Sequence, residues 1–486
     1  MTKVIQRIEL TLRSFYIFNS TIGRKEGEES KKILFYHPQD IELNTKINDV
    51  GLSEAIIAFT GTFDCNDGCK ALHTQKTTQI FYQPEKDYWM VLVINVPKEI
   101  RSKDGVEIAD YKGNEVHDHI YRTTLKQCYN MFRLFAGTFE MILEHSRQGR
   151  GEPHEHLAQK LELFYSKYLL TLKLGSCDVV DALRSIQYLP LDKFLFLRVH
   201  NFVNMIQATF STIVDTIFLY NDQVVCSKIY PLDLYCIHEY LVSTIFPKAT
   251  QSELAGGSLN RSNSDASEFY RSGGFVTGPE NTENCSKPPK VYIKYDGELQ
   301  CFYLIIYRVM NATLCLLIRA NQHLLNEFYL ELHSFMGPQL ASIASDIGES
   351  LTKPANSLNA TKSLISSMAN SCTVESESVT PKYLFINEQS LKHISNIYLD
   401  RRRPKANSIP ANVMNLIADL ESSSDSSATE QVQVKTTNDF WIVKKSCNWR
   451  HFYVIIFNST ATLLDVTNEA RRVFEQEITD DVFFDK

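Results

Sequence analysis

The stretch Ser14-Phe-Tyr-Ile-Phe-Asn-Ser20 opens a series of five apolar segments near the start of the chain. The others are, in order, Ile33-Leu-Phe-Tyr-His-Pro38, Val50-Gly-Leu-Ser-Glu-Ala-Ile-Ile-Ala-Phe-Thr60, Leu72-His-Thr-Gln-Lys76 and Trp89-Met-Val-Leu-Val-Ile-Asn-Val-Pro97. The first two and the last are short and rich in aromatic and β-branched residues, which is typical of strands. The third is longer and repeats at helical spacing. The series therefore predicts a small sheet with one helix laid across it.

The length and composition indicate a globular protein of several domains. A chain of 486 residues corresponds to roughly three domains of about 150 residues each. Hydrophobic residues make up 44% and charged residues 22%, so most of the chain can bury a core. The formal net charge of −7 and the pI near 6.0 argue against nucleic acid as the main partner, because phosphate binding needs a concentrated basic face.

The cysteines and the apolar stretches predict a cytosolic chain. The 11 cysteines are an odd number scattered through apolar segments, which is typical of reduced core residues. No secretory signal is visible at the N-terminus. The near-membrane-length stretch 301–320 contains Arg308 and Asn311, which are costly at a bilayer centre. We predict two strands there, 302–309 and 312–318, and only peripheral membrane contact.

Composition and periodicity divide the chain into three units. The first, 1–180, carries the five segments and then two amphipathic helices, 119–139 and 156–174. The second, 181–350, contains an insertion at 249–287 that we predict to be too polar to fold. A polar linker at 351–380 leads to a shorter third unit, 381–486, which a serine-rich insertion interrupts at 421–430. Further helices are predicted at 232–246, 326–349, 413–420 and 468–478, and further strands at 216–220, 223–229, 291–295, 383–386, 440–444 and 452–457.

Several short motifs recur in the order that one known family has them. They are Pro190-Leu-Asp-Lys193, Phe218-Leu-Tyr-Asn-Asp-Gln223, Phe275-Val-Thr-Gly-Pro279, Gly337-Pro-Gln-Leu340 and Phe440-Trp-Ile-Val-Lys-Lys445. With the five opening segments, they make the chain resemble the vacuolar fusion protein Ccz-one family, the smaller subunit of the Mon/Ccz guanine nucleotide exchange factor. The resemblance runs nearly end to end, and it is strongest before residue 100 and weakest after residue 350.

The resemblance implies both a fold and a function. The fold is α/β, with three longin-like domains, each a small antiparallel sheet flanked by helices, joined and interrupted by polar loops. The function is to pair with a Mon-one subunit and activate a late-endosomal Rab GTPase of the Rab-seven type, without a cofactor or covalent chemistry. Further implied partners are a third, scaffold-like subunit in animals and phosphoinositide-containing membranes of the late endosome, lysosome and autophagosome.

The helix predicted at 45–63 has two apolar sides. At about 100° per residue, one side gathers Ile47, Val50, Ile57 and Ala58, and the opposite side gathers Leu52, Ala55, Ile56, Phe59 and Phe63. A helix on the face of a sheet needs only one apolar side, so the second side needs another surface. Either the chain's own helices at 119 and 156 cover it or, as the resemblance implies, the partner's first domain does. The second case places the partner interface at Leu52, Ala55, Ile56, Phe59, Leu72 and Thr74.

Nucleotide exchange depends on a shaped surface and needs no nucleophile, acid or metal ligand. An exchange factor binds the nucleotide-free GTPase more tightly than the loaded one, and it opens the loops that hold magnesium and phosphate. We place candidate GTPase contacts on the same helix, at positions that we expect to be exposed: Asn48, Asp49, Ser53 and Glu54.

Two further clusters have competing interpretations. Cys65, Cys69 and His73 are zinc-type ligands, but their spacing fits poorly and no fourth ligand is evident, so a metal-dependent hydrolase is a weak rival. The sharpest basic cluster could contact anionic lipid head groups and suits a solvated loop equally well. Its residues are Arg401, Arg402, Arg403 and Lys405.

Two other functions stay open at this point. One is an exchange-factor subunit for a Rab of lysosome-related organelles, which would pair with a different partner. The other is a non-catalytic trafficking adaptor, whose longin-type domains would only hold cargo or coat proteins. Neither the composition nor the periodicity separates these functions from the one that the resemblance implies.

Overall fold

The computed structural model describes residues 3–23, 25–63, 69–103, 106–147, 153–172, 174–176, 183–249, 251, 274–278, 287–322, 324–352, 381–397, 409–422 and 429–477. The chain forms two compact units. One contains Met1–Arg184 and Met414–Ser424, and the other contains Ser185–Val413 and Asp425–Lys486. Within the described ranges, no helix is long and apolar enough to cross a membrane.

The first unit contains two antiparallel sheets. Its elements are β1 (Lys3–Ile8), β2 (Thr11–Asn19), β3 (Ile33–His37), α1 (Leu43–Gly61), β4 (Ala71–His73), β5 (Thr77–Glu85), β6 (Tyr88–Asn95), β7 (Lys98–Lys103), β8 (Val106–Tyr111), α2 (Asp118–Ala136), α3 (Phe139–Arg147) and α4 (Pro153–Thr171). Five strands form one sheet in the order β3-β2-β6-β5-β4, and the other sheet has the order β1-β7-β8. The predicted sheet with one helix laid across it is confirmed, and the helices predicted at 119–139 and 156–174 are α2 and α4.

The five-stranded sheet buries both of its faces. In β2, Phe15 and Ile17 point into a core shared with α2, α3 and α4. Their neighbours Tyr16 and Phe18 point into a smaller core on the opposite face, together with Val50 of α1. This alternation follows from the two-residue period of a strand. It places α1 on one face and α2, α3 and α4 on the other.

The apolar pattern does not predict the hairpin of β7 and β8, because charged residues alternate along it. Arg101 forms ion pairs with Glu99 at 2.6 Å and with Asp110 at 3.1 Å. The first pair lies within β7, and the second joins β7 to β8. Pairs of the second kind stabilise a sheet that has little apolar side chain to bury. A search for β-branched and aromatic runs therefore overlooks these strands.

The second unit contains the two remaining sheets. Its elements are β9 (Ile186–Gln187), α5 (Lys193–Thr209), β10 (Ile213–Tyr220), β11 (Gln223–Ser227), α6 (Pro231–Tyr240), β12 (Gly274–Thr277), β13 (Lys290–Tyr295), β14 (Glu298–Val309), β15 (Ala312–Arg319), α7 (Asn326–Thr352), β16 (Lys382–Asn387), β17 (Lys392–Ser395), β18 (Glu430–Lys435), β19 (Phe440–Cys447), β20 (Arg450–Phe457) and α9 (Leu463–Glu477). A further helix, α8 (Ala411–Ser422), begins in the second unit and continues into the first.

One sheet of this unit has the antiparallel order β11-β10-β15-β14-β12, with β13 also pairing to β14. Residues of α5 and α7, such as Phe202 and Leu332, pack on Phe218 and Leu316 at one face of it. The predicted pair of strands within 301–320 is confirmed as β14 and β15. Met310, at the turn between them, has a φ of 52°.

The prediction that 249–287 is too polar to fold is wrong for Gly274–Thr277, which forms β12 and pairs with β14. The ring of Phe275 lies 4.9 Å from that of Tyr307 and 5.2 Å from that of Tyr329. The buried hydroxyl of Thr277 donates a hydrogen bond to the carbonyl of Leu304. Phe275 and Thr277 thus attach this short strand to the sheet. Composition alone does not predict the strand, because the residues around it are polar.

The remaining sheet has the order β18-β19-β20-β16-β17-β9. Its edge strand β9 lies in the range predicted for the second domain, yet it pairs in parallel with β17. Tyr383, Trp441 and Val454 on one face form a core with Val466 and Val473 of α9. A two-residue strand carries too little periodicity to reveal this pairing, because its partner lies some two hundred residues away.

Candidate functional site

The inner side of α1 is attached to the sheet largely through polar contacts. Val50 is 2% exposed and Ser53 is 0% exposed. The hydroxyl groups of Tyr16 and Ser53 lie 2.7 Å apart, and the hydroxyl of Tyr36 donates a hydrogen bond of 2.7 Å to the Asp49 carboxylate. Burial raises the pKa of Tyr16 well above its ordinary value, so its hydroxyl stays protonated and can donate.

One contact orders the two tyrosines of the sheet beneath α1, and another joins α1 directly. The rings of Tyr16 and Tyr36 are stacked, with centroids 5.3 Å apart and planes at 5°. Lys32, before β3, forms an ion pair of 2.7 Å with Glu54 of α1. The helix is therefore held by oriented hydrogen bonds and one ion pair, which define its rotation and register more sharply than apolar packing would.

The outer side of α1 is apolar and exposed. Leu52 is 50% exposed and Phe59 is 65% exposed. Ala55 is exposed as well, and Ile56 is half-buried. Phe63, just after the helix, is 75% exposed, and its ring contacts that of Phe59 at 5.0 Å. We call Leu52, Ala55, Ile56, Phe59 and Phe63 the outer stripe.

The prediction of two apolar sides is thus only half right. One side faces the sheet, but Ala58, assigned to that side, is exposed. The alternative in which the chain's own helices cover the second side is wrong, because α2 and α4 belong to the core on the opposite face of the sheet. A contiguous apolar surface of this kind on a folded chain marks a site for another molecule.

The two other interface candidates lie at the edge of the same sheet. Strand β4, which contains Leu72, is the terminal strand of the five-stranded sheet. Leu72 is half-buried against the small core beneath α1. The hydroxyl of Thr74 donates to the Thr77 carbonyl and accepts from the Thr77 amide, each at 2.9 Å. Thr74 therefore stabilises the turn between β4 and β5, and its side chain has a structural role.

The candidate GTPase contacts separate into two groups. Asn48 is exposed, as expected. The expected exposure of Ser53 is wrong, because its hydroxyl is buried against Tyr16. Asp49 and Glu54 are half-buried, and their carboxylates bind Tyr36 and Lys32 as described above. Three of the four polar residues therefore hold the helix in place.

The zinc hypothesis gains no support from the described part of the cluster. Cys65 lies outside the described residues. The Cys69 thiol donates a hydrogen bond of 3.4 Å to the Ala71 carbonyl, and burial raises its pKa, which disfavours the thiolate that zinc requires. The Nε2 of His73 lies 2.9 Å from the Asp118 carboxylate.

The basic cluster Arg401-Arg-Arg-Pro-Lys405 also lies outside the described residues. Among the residues that are described, Tyr16, Tyr36 and Lys32 are the parts of the site that the sequence did not single out. The sequence does contain a faint signal for the polar partner of Ser53. This serine stands at helical spacing between Val50 and Ile57, on the side that faces the sheet, and a buried hydroxyl there requires a hydrogen-bond partner.

Three of the four sheets, largely antiparallel and packed against helices, define a protein of longin-like domains. Comparison with known domain families gives the same class. Residues 12–137 match the family described as the first longin domain of INTU, CCZ1 and HPS4. Residues 213–337 match Intu longin-like domain 2, and residues 377–473 match Intu longin-like domain 3. The predicted fold class is confirmed.

Full-length relatives narrow the class to one family. The vacuolar fusion protein CCZ1 homolog of Xenopus tropicalis is 35% identical over 486 residues, which cover 99% of this chain and 98% of the relative. That of Danio rerio is 36% identical over 482 residues, with 98% and 96% covered. That of Dictyostelium discoideum is 26% identical over 468 residues, with 96% of each covered. The chain belongs to the vacuolar fusion protein CCZ1 family, and the predicted Ccz-one resemblance is confirmed.

Proposed function

We propose that this chain is one subunit of a guanine nucleotide exchange factor for a late-endosomal Rab GTPase of the Rab-seven type. Its process is endosome-to-lysosome maturation, vesicle fusion and autophagy. The family membership supports a role in vacuolar fusion, because the relatives carry that name. The observation that carries the finer proposal is the exposed outer stripe on a helix that polar contacts hold in a fixed position.

The outer stripe is suited to a protein partner of matching shape. Exposed aromatic and aliphatic side chains such as Phe59 and Leu52 gain about 25 cal/mol for each Å² of apolar surface that a partner covers. The partner in this proposal is the first longin-like domain of a Mon-one subunit. Its equivalent helix would lie against α1 and continue over the β4 edge, so that two such domains form one composite surface.

The composite surface acts on the GTPase by displacement of the nucleotide. A helix face and an edge strand supply shape and apolar contact, which is what stabilisation of a nucleotide-free GTPase requires. Asn48 stands exposed on the same helix as the outer stripe, so it would lie next to the partner and is our first candidate for contact with the GTPase switch loops. Asp49 and Glu54 would contribute to exchange indirectly, because they position the helix.

The proposal includes the wider set of partners that the family resemblance implies. These are a third, scaffold-like subunit in animals and phosphoinositide-containing membranes. The chain would be cytoplasmic and would be recruited peripherally to late endosomes, lysosomes and autophagosomes. Arg401, Arg402, Arg403 and Lys405 are the residues that we assign to the lipid head groups.

The test is the release of a fluorescent guanine nucleotide from a panel of Rab GTPases. The panel is exposed to this chain alone, to the Mon-one subunit alone and to both together. We expect the pair to accelerate release, only from the Rab-seven type, and neither subunit to do so alone. Acceleration on a Rab of lysosome-related organelles would move the chain to the rival exchange factor. A stable pair that accelerates no Rab would favour the adaptor.

A further inference from the structure

The first unit carries a row of basic side chains that the proposed function does not use. They lie on α2 and comprise His119, Arg122, Lys126 and Arg133. At about 100° per residue, their positions fall within about 60° of the helix circumference. The side chains therefore line one flank of α2, beside the apolar side that carries Leu125 and Phe132 into the core.

Two residues from other segments join this flank. Lys70, before β4, and Arg184, at the end of the unit, are both close enough to Lys126 to act on it electrostatically. The backbone of Arg184 has a φ of 45°, a conformation that bulky residues adopt only where the surrounding structure enforces it. Positive groups from three separate segments thus converge on one place.

Acidic groups of the unit offset this charge only in part, since Asp419 acts on His119. Arg7, on β1 of the same unit, is paired with Glu115 at 2.9 Å. In the described part of the chain, by contrast, the side chains of Arg122, Lys126 and Arg184 make no ion pair. The buried Nε of Arg122 also has no hydrogen-bond partner. Half-buried charges are normally paired, so an unpaired group of them is unusual.

Burial and mutual repulsion disfavour the charged forms of this group. Burial, followed by the charges of Arg184 and Arg122, lowers the pKa of Lys126 to about 8. Burial is also the main cause that lowers the pKa of His119, and Lys126 and Arg184 add to it. Such surroundings cost the folded chain free energy. A bound anion would offset that cost.

We propose that these residues form a binding site for the phosphate group of a small soluble ligand, the α2 basic site. The planar guanidinium of Arg122 can hold two phosphate oxygens at once, and the ammonium of Lys126 supplies a point charge. A phosphate dianion offsets more positive charge than a single carboxylate does. Arg122, Lys126 and Arg184 are half-buried, so a small ligand reaches them more readily than a flat bilayer surface does.

Calorimetric titration of the full chain with inorganic phosphate, at constant ionic strength with chloride as the balancing anion, tests the site. We expect the unaltered chain to bind phosphate and the double variant Arg122→Gln with Lys126→Met to bind at least about tenfold more weakly, since charged hydrogen bonds are lost. The control is Lys167→Met, which removes an exposed charge on α4 and should leave the affinity unchanged.

Two readouts separate loss of the site from loss of the fold. In phosphate-free buffer the double variant should melt no lower than the unaltered chain, because mutually repelling charges have been removed. If the double variant does not fold, Lys126→Met alone is titrated. The proposal is overturned if the unaltered chain binds no phosphate or if the folded variant binds it equally well. It is also overturned if only vesicles of phosphatidylcholine and phosphatidylserine bind through these residues.

Discussion

Helices α1 and α2 have the same length and cover opposite faces of one sheet, yet they are buried to very different extents. Each contains 19 residues. Only Val50 and Ser53 of α1 are buried, whereas ten residues of α2 are. Most of the other apolar side chains of α1 therefore lie on its outer side, where the chain does not cover them. The comparison shows that apolar content in a helix does not reveal whether the chain itself will cover it.

The two helices are also attached by different forces. Phe132 of α2 stacks on Tyr165 at 5.8 Å and meets Phe139 edge to face at 5.5 Å. Helix α1 is tethered mainly by the hydroxyl groups of Tyr16 and Tyr36. Apolar packing is strong and tolerant of small rotations, while hydrogen bonds are weaker and directional. This division suits α2 to stabilise the unit and α1 to present a surface.

The largest expected effect comes from truncation of a phenylalanine on each helix. Phe132→Ala should lower the free energy of unfolding of the first unit by about 3–5 kcal/mol, since it leaves a cavity in a packed core. Phe59→Ala should change it by no more than about 0.5 kcal/mol, since the ring is exposed in the isolated chain. Hydrogen exchange on peptides of β2 and β6 measures both. Equal losses would show that the outer stripe is part of the core.

A second prediction concerns binding and rests on the proposed Mon-one partner. Ile56→Asp with Phe59→Asp should weaken capture of the partner at least about a hundredfold, because central apolar residues of an interface contribute 2 kcal/mol or more each. The matched control is Leu170→Asp, at a leucine that is 80% exposed on α4. The measurement is the affinity of the purified subunits. Equal affinity for both variants would remove α1 from the interface.

The sequence predicted both helices and the apolar sides of α1, but it did not predict the orientation of α1 on the sheet. The pattern of apolar residues gave the helix and its two sides. It assigned Ala58 to the inner side and left Ser53 exposed, and the structure reverses both. The deciding contact is the hydrogen bond between Ser53 and Tyr16, residues 37 positions apart. A period of apolar residues records local geometry and carries no information on such a long-range polar contact.

The same limit explains the strands that the pattern did not predict. Strands β9 and β12 are short, and their pairing depends on partners distant in the sequence. Long strands that are buried on both faces, such as β14 and β15, were predicted well because their composition alone distinguishes them. The partner interface drew on the second apolar side of the helix together with the family resemblance, and the lipid-binding residues drew on a basic cluster outside the described residues. Those assignments stay predictions.

A third, smaller effect tests whether the polar tethers position α1. Ser53→Ala removes the hydroxyl that binds Tyr16, and it should cost about 1 kcal/mol, the usual net contribution of one hydrogen bond. Hydrogen exchange of the α1 amides should then rise severalfold, while the amides of α2 stay unchanged. Asn48→Ala, at an exposed residue of the same helix, is the control. Equal exchange in both variants would show that the tether does not hold the helix.

The smallest effect concerns the flank of α2 that is not packed in the core. The pKa of Lys126 is about 8 in the folded chain against an ordinary value of 10.5. Between these values the unfolded chain binds more protons, so the free energy of unfolding should rise with pH through that range. Below about pH 8 both states carry the charge and the contribution is constant. Lys126→Met should lack the rise.

The difference between the unaltered chain and the Lys126→Met variant isolates the contribution of Lys126, because tyrosines and other lysines titrate equally in both. We expect a difference of about 1 kcal/mol or less, since a half-exposed ammonium is screened by solvent. Urea unfolding at pH 7.5 and at about pH 10 measures it. A rise that Lys126→Met retains would place its origin outside the α2 basic site. Loss of the rise would show that even the better buried helix keeps one flank under electrostatic strain, where an anion can act.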